Sequence, residues 1–94
     1  MIVLDEQSWS WLLFQNEKSM YLSVVCGSVG IFTVEIELTQ AEIASFNAIG
    51  RTFIDELARG ISFSPDSYLH RKSNFRNEFD LSIAIDKWRE SAKS

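Results

Sequence analysis

The chain has 94 residues, of which 46% are hydrophobic and 13% aromatic, and it contains one Pro and four Gly. We expect a single domain over residues 1–94, because a two-domain enzyme needs more chain, and a disordered linker has more Pro and fewer aromatic residues. The formal net charge is −4. It argues against nucleic acid or an anionic membrane as partners, since both are negatively charged and would repel the protein.

The sequence predicts a soluble, cytoplasmic protein. Residues 1–6 have no basic group and reach acidic residues by position 5, unlike a secretory signal peptide. Cys26 is the only cysteine, so the fold does not depend on an internal disulfide or on an oxidising compartment. The apolar runs are much shorter than the ~20 residues that span a bilayer.

Three β-strands are predicted in the first part of the chain, at residues 9–14, 21–26 and 31–38. In the third, apolar and polar residues alternate, so that one face is core and the other faces water. The connections between the strands are short and rich in turn-forming residues, which favours an antiparallel meander, since parallel strands need longer crossovers.

At Thr39 the apolar period changes to that of a helix. Thr39 and Glu42 have the spacing of a capping box, in which each side chain bonds to the backbone amide of the other residue. Apolar residues continue at helical spacing, and Gly60 is a natural end of the helix. Gly50 lies inside the apolar stripe, which suggests a close approach of the helix to the sheet; a tolerated surface glycine is the alternative.

The last third of the chain is less regular. Residues 67–73 are polar and basic, which is typical of a loop with a short helical turn. Residues 79–90 fit both a strand and a helix; a helix is favoured by Ala84 and the charged end, with Asp80 as a candidate N-cap. The predicted fold is α+β, with a three-stranded antiparallel sheet followed by a long helix and a second, C-terminal helix, both packed on one face.

No group of residues indicates catalysis, a metal or a cofactor, and we expect none of these. Cys26 and His70 are too few to bind zinc, which needs three or four ligands, and Cys26 fits a core position. Glu35 and Glu37 share a strand face at about 6.5–7 Å, a spacing that a glycosidase uses, but a small sheet face offers no cleft. Residues 27–30 lack the helix and the Lys of a phosphate-binding loop.

Charge is unevenly distributed along the chain. Residues 1–66 carry a net charge of −6 and residues 67–94 a net charge of +2. The basic part offers few aromatic side chains on which nucleic-acid bases could stack. In the acidic part, an outward sheet face mixes carboxylates with an aromatic residue, as protein-binding surfaces do, and two tryptophans on one strand face are either buried or available to a partner. The candidate partner-binding residues are Glu35, Glu37, Asp55, Glu56, Tyr21, Trp9 and Trp11.

The order of these segments resembles a bacterial family. A Trp-rich strand is followed by LSVVCG at 22–27, FTVEIELT at 32–39, ARGI at 58–61 and SPDSYLHR at 64–71. Over most of residues 9–90 the chain looks like the immunity proteins of contact-dependent growth inhibition and related polymorphic toxin systems. The resemblance implies a non-enzymatic inhibitor that binds one cognate toxin, often a nuclease, in the cytosol of the producing cell.

Three functional hypotheses follow from these observations. The first is an immunity protein, a monomer or weak homodimer, that neutralises a toxin by contact through acidic and aromatic side chains. The second is a small dimeric adaptor or secretion-chaperone-like binding protein. The third is a small enzyme that uses Cys26 or His70, for which Cys26→Ser or His70→Ala would abolish an activity while leaving the fold intact.

Overall fold

The computed structural model describes residues 1–27 and 30–93, so the predicted connection at residues 27–30 lies partly outside the described residues. The protein is α+β, with one antiparallel sheet in the order β1-β2-β3-β4 followed by helices. The elements are β1 (Ile2–Gln7), β2 (Trp11–Asn16), β3 (Ser19–Cys26), β4 (Phe32–Glu37), α1 (Gln40–Ile49), α2 (Arg51–Phe63), a 3₁₀ helix (Pro65–Arg71), α3 (Phe75–Glu78) and α4 (Leu81–Lys93). The predicted class is confirmed, and the predicted three strands are wrong.

The additional strand is β1, which pairs antiparallel with β2. A shift in register between Val3 and Asp5 interrupts the pairing, and two of its six residues are acidic, so its sequence does not alternate regularly. The next strand begins at Trp11 rather than at residue 9, because Trp9 has a left-handed backbone with φ 64° and belongs to the turn between β1 and β2.

The sheet is covered on both faces. On one face, which we call the α2 face, Leu22 and Ile36 pack with Ile54 and Ile61 of α2 in a fully buried cluster. This cluster is the larger of the two and contains residues from β2, β3, β4 and α2. Burial of each such apolar side chain stabilises the fold by about 1.5–3 kcal/mol.

The opposite face, which we call the α4 face, is covered by α3 and α4. Phe14 and Tyr21 point to this side and pack with Phe75 of α3 and with Leu81 and Ala84 of α4. The prediction that both helices lie on one face is therefore wrong. Successive strand residues point to opposite faces, and here both sets include apolar side chains that need cover.

The predicted long helix is two helices that meet at Gly50. The capping box at its start is confirmed: Thr39 Oγ1 accepts from the Glu42 amide at 3.2 Å, and Glu42 Oε1 accepts from the Thr39 amide at 2.8 Å. Gly50 has φ 85° and ψ −149°, and a Cβ there would meet nothing within 4 Å, so the predicted close approach to the sheet is wrong. Gly60 is not the end of the helix, because α2 continues to Phe63.

The two glycines give a matched pair of stability predictions. Gly50→Ala is expected to lower the free energy of unfolding by about 1–3 kcal/mol, because an L-residue is strained at this φ and ψ. Gly60→Ala is expected to raise it by about 0.5–1 kcal/mol, because alanine is the better helix former and a Cβ would lie 3.5 Å from Tyr68 Oη, an ordinary contact. Urea denaturation of both variants measures these two changes in the free energy of unfolding. Shifts of the same sign would contradict the assignment of Gly50 as a helix break.

Glu42 also joins α1 to the 3₁₀ helix. Arg71 donates from Nη1 to Glu42 Oε2 at 3.0 Å and from Nη2 to Oε1 at 2.5 Å, and both side chains are largely buried. Burial alone would raise the pKa of Glu42, but the hydrogen bonds and charge of Arg71, together with the bonds from Thr39, outweigh it and hold the pKa below its ordinary value.

This shift predicts a pH dependence of stability. Because the pKa of Glu42 is lower in the folded protein than in the unfolded chain, its contribution is present above the unfolded value of about 4.3 and is lost as the pH falls through the folded value. We expect Glu42→Gln to be less stable than the wild type by about 1–2 kcal/mol at neutral pH, with the difference shrinking as the pH falls below about 4. Urea denaturation across this pH range tests it, and a constant difference would contradict it.

The C-terminal segment is helical, as predicted. The helix α4 runs over Leu81–Lys93, and Asp80 Oδ1 accepts from the Ser82 amide at 3.1 Å, as a cap does. Hydrogen bonds from the Ser82 hydroxyl and amide lower the pKa of Asp80. The short helical turn expected at residues 67–73 is part of the 3₁₀ helix. None of the helices in the described ranges combines the length and the apolar character needed to cross a membrane.

Candidate protein-binding site at the β1–β2 hairpin

Trp9 is the most exposed of the large apolar side chains that the structure describes, at 90%. It lies in the turn between β1 and β2, where its left-handed backbone costs about 1–2 kcal/mol for a residue other than glycine. The turn is held by hydrogen bonds from the Ser10 amide to the Gln7 carbonyl at 2.9 Å and from the Val25 amide to the Ser10 carbonyl at 2.8 Å. The ring is therefore presented to solvent from an ordered turn.

Trp11, by contrast, is part of the core and is only 2% exposed. Its indole Nε1 donates to Asp55 Oδ1 at 2.9 Å, and the guanidinium of Arg51 lies 5.2 Å from its ring centre. Arg51 also donates to Asp5 Oδ1 at 3.0 Å and to the Glu6 carbonyl at 3.1 Å. These contacts attach the hairpin to α2 and fix the base from which Trp9 projects.

A groove of about 350 Å³ opens beside Trp9 on the α4 face. Leu12 and Val25 supply apolar surface, while Arg76 of α3 and Arg89 of α4 supply positive charge. We call this the hairpin groove; the residues that define it are Trp9, Leu12, Val25, Thr33, Arg76 and Arg89.

Two carboxylates already have hydrogen-bond donors: Glu6, which lines the hairpin groove, and Glu35, which lies behind the groove residue Arg76. Glu35 Oε2 accepts from Arg76 Nε at 2.8 Å and Nη2 at 2.6 Å, and from Ser23 Oγ at 3.0 Å. Glu6 Oε1 accepts from Trp88 Nε1 at 2.7 Å. The Glu35 side chain is 12% exposed and that of Arg76 is 48% exposed. A molecule that enters the groove therefore meets guanidinium N–H groups more readily than carboxylate oxygens.

A second depression lies on the other side of the hairpin. It has a volume of about 380 Å³ and is bordered by Asp55 and Arg59 of α2. Gln7 and Ser10 border both this depression and the hairpin groove. The turn that carries Trp9 thus stands between two concave surfaces, a shape that can contact a partner on both sides.

Four of the seven candidate residues lie at or near this end of the sheet. Trp9 is on the surface, Trp11 is buried beneath it, and Asp55 is bonded to Trp11. Glu35 lies behind Arg76, which neutralises its charge. The two tryptophans therefore differ: Trp9 is available to a partner, and Trp11 is buried. They do not share a strand face, because the left-handed backbone at Trp9 interrupts the alternation of side chains.

The other three candidates lie elsewhere. Tyr21 and Glu37 are paired across β3 and β4. Trp11 is paired with Val24 of β3, and Tyr21 lies three residues, or about 10 Å, from Val24 along the strand. Tyr21 is 8% exposed because Phe75 covers it, with ring centres 4.8 Å apart, whereas Glu37 is exposed. Glu56 is exposed on α2.

Of the residues that define the hairpin groove, only Trp9 was among the candidates, and the two arginines are the important omissions. Arg76 lies in the part of the chain with a net positive charge, residues 67–94, and Arg89 follows Trp88 in α4. Both come from segments that reach the site by crossing the α4 face, which is uncovered in the predicted fold. The helical spacing of Leu81, Ala84 and Trp88 was the available signal, since it marks the side of α4 that packs on the sheet.

The lone cysteine and histidine are placed differently. Cys26 is buried in the α2-face core, where its thiol lies 3.6 Å from the Val24 carbonyl and burial raises its pKa. Such a thiol is a weak nucleophile near neutral pH. His70 is exposed on the 3₁₀ helix. Within residues 1–27 and 30–93, no three His, Cys, Asp or Glu residues are grouped so that they could hold a metal ion.

Comparison with known proteins gives no relative: no protein-family model, no curated protein and no solved structure matches the chain.

Proposed function

We propose that this protein is an immunity protein, a non-enzymatic inhibitor that binds a cognate toxin by protein–protein contact in the cytoplasm of the producing cell. The observation that carries the proposal is the exposure of Trp9 on an ordered, strained turn. Trp and Arg are the residues most enriched among those that dominate binding energy, and Arg76 and Arg89 lie beside Trp9 in the hairpin groove.

The acidic residues of α2 are a second support for this proposal. Asp55 borders the depression on the α2 side, and Glu56 is exposed on the same helix. A nuclease toxin binds a polyanion and needs a basic cleft, so an acidic protein would be attracted to it at long range. Glu35 and Asp55 add less to this attraction than Glu56, because Glu35 is ion-paired with Arg76 and Asp55 lies 4.0 Å from Arg51.

Co-expression tests the proposed function. The coding sequence next to this one is expected to encode a toxin domain whose expression arrests growth, and co-expression of this protein is expected to restore growth. Arrest that persists although this protein is present and folded would contradict the proposal. For the purified pair, affinity is expected to fall as salt rises from about 0.05 to 0.5 M, and an affinity independent of salt would exclude the electrostatic contribution.

A dimeric adaptor is the second candidate, and one surface favours it. Ile31, Phe32 and Leu69 are large apolar residues that are about half or more exposed, and Phe32 and Leu69 border the same depression of about 200 Å³ beside β4. A dimer formed through this surface is expected to dissociate when Phe32 is replaced by Asp. Light scattering decides between the candidates, since a strictly monomeric protein leaves the adaptor without support.

A further inference from the structure

We propose that the hairpin groove binds an extended acidic segment of the partner protein, with a carboxylate on Arg89 and Arg76 and an apolar side chain against Leu12 and Val25. The inference rests on the proposed function only in taking the occupant to be a protein segment. It differs from the attraction to a basic cleft described above, because it assigns an acidic element of the partner to this part of the surface.

The hydrogen-bond donors of the groove are the first argument. Arg76 uses Nε and Nη2 on one oxygen of Glu35, which fixes the guanidinium, while its Nη1 has no partner among the described residues. Arg89 is exposed and has no hydrogen bond or ion pair within the part of the chain that the structure describes. A guanidinium with free N–H groups matches the planar geometry of a carboxylate.

The placement of charge is the second argument. Glu35 is paired and only slightly exposed, so it competes little for a ligand. Glu6 is the remaining negative charge at the groove, and one of its oxygens is occupied by the Trp88 indole. Neither carboxylate is bonded to Arg89, so a carboxylate of the ligand can form an ion pair with Arg89. A nucleic acid is disfavoured, because its many phosphates would face a protein of net charge −4.

The dimensions of the groove are the third argument. It reaches from Leu12 on β2 to Thr33 on β4, across two strand spacings or about 10 Å. Three residues of an extended chain cover this distance at about 3.3 Å each. Trp9 and Leu12 both line the groove, so an apolar side chain at the centre of the segment would contact the sheet and have the Trp9 ring within the same groove.

Peptide titration of the full-length protein tests the inference without any toxin. The probes are the amidated tripeptides acetyl-Asp-Leu-Asp, acetyl-Asn-Leu-Asn and acetyl-Lys-Leu-Lys, and the readout is the NMR shift of the tryptophan indole N–H groups. The Asp peptide is expected to shift the Trp9 signal saturably with a Kd of about 1–10 mM, with Trp11 unmoved. The Asn peptide is expected to bind at least about fivefold more weakly, and the Lys peptide more weakly still.

Three variants complete the test. Arg89→Gln is expected to weaken the Asp peptide at least about fivefold, and Glu6→Gln to strengthen it about two- to threefold by removing a repelling charge. Lys87→Gln, on the same helix but bordering a different depression, is the matched control and should change nothing. Equal binding of the Asp and Asn peptides, binding insensitive to Arg89→Gln, no binding up to about 20 mM, or tighter binding of a thymidine tetranucleotide would each overturn the inference. The two tests are independent. A failed titration would overturn this inference without affecting the expected growth rescue, and failed growth rescue would overturn the proposed function without affecting the expected titration.

Discussion

Replacing Phe75 with alanine is expected to lower the free energy of unfolding by about 3–5 kcal/mol. Phe75 is fully buried, and its ring centre lies 5.6 Å from that of Phe14 and 4.8 Å from that of Tyr21. It belongs to a helix of four residues, which has too few hydrogen bonds to form alone. The side chain therefore attaches α3 to the α4 face. Since small domains are stable by only about 5–15 kcal/mol, much of the stability would be lost.

Thermal or urea denaturation measures this effect, with Phe63→Ala as the matched control. Phe63 is the same residue type but is 88% exposed at the end of α2, so its replacement should change stability by less than about 0.5 kcal/mol. Equal losses for the two variants, or a loss below about 1 kcal/mol for Phe75→Ala, would show that Phe75 does not organise the second core.

Replacing Trp9 is expected to weaken the complex with the toxin at least about 30-fold, because an exposed aromatic ring at the centre of a contact is the usual source of binding energy. Trp9→Ala tests the loss of the ring. Trp9→Gly adds a distinct signature: glycine accepts the left-handed backbone at φ 64°, so the free protein should gain about 0.5–1 kcal/mol of stability while binding is lost. A residue kept at a cost to stability indicates a role in function.

Ile83→Ala is the control for this prediction. Ile83 is 57% exposed and lies near the start of α4, whereas Arg89 brings a later turn of that helix to the hairpin groove. Calorimetric titration of the purified pair should give wild-type affinity for Ile83→Ala. If Trp9→Ala also binds like the wild type, the hairpin is not the contact.

The parts of the fold that were predictable are those encoded by local patterns. The alternation around Val34 and Ile36 predicts β4, and the spacing of Thr39 and Glu42 predicts the start of α1. Both depend on residues within one element. The sequence does not predict the break at Gly50, because apolar residues continue at helical spacing on both sides of it, and only the backbone angles distinguish a bend from a continuous helix.

The omissions share a different cause, which is pairing between distant residues. Asp5 and Glu6 make β1 look like a polar terminus, but their partners are Arg51 and Trp88, 46 and 82 residues away. The cover on the α4 face is missing from the predicted fold for the same reason, since Phe75 comes from residues 74–78, for which the sequence predicts no element. In the candidate site, the sequence predicts Trp9 as a partner-binding residue, whereas the contribution of Arg89 depends on how α4 crosses the sheet.

The central claim is that the β1–β2 hairpin forms the contact with the toxin. Amide hydrogen exchange, measured in the complex with the toxin domain, tests this claim most directly. We expect exchange to slow on binding at residues 8–11 of the turn and at residues 23–25 beneath the groove, and to stay unchanged around Ile83. Slowed exchange confined to residues 31–33 and the neighbourhood of Leu69, with the hairpin unaffected, would contradict it and would place the partner at the edge of β4.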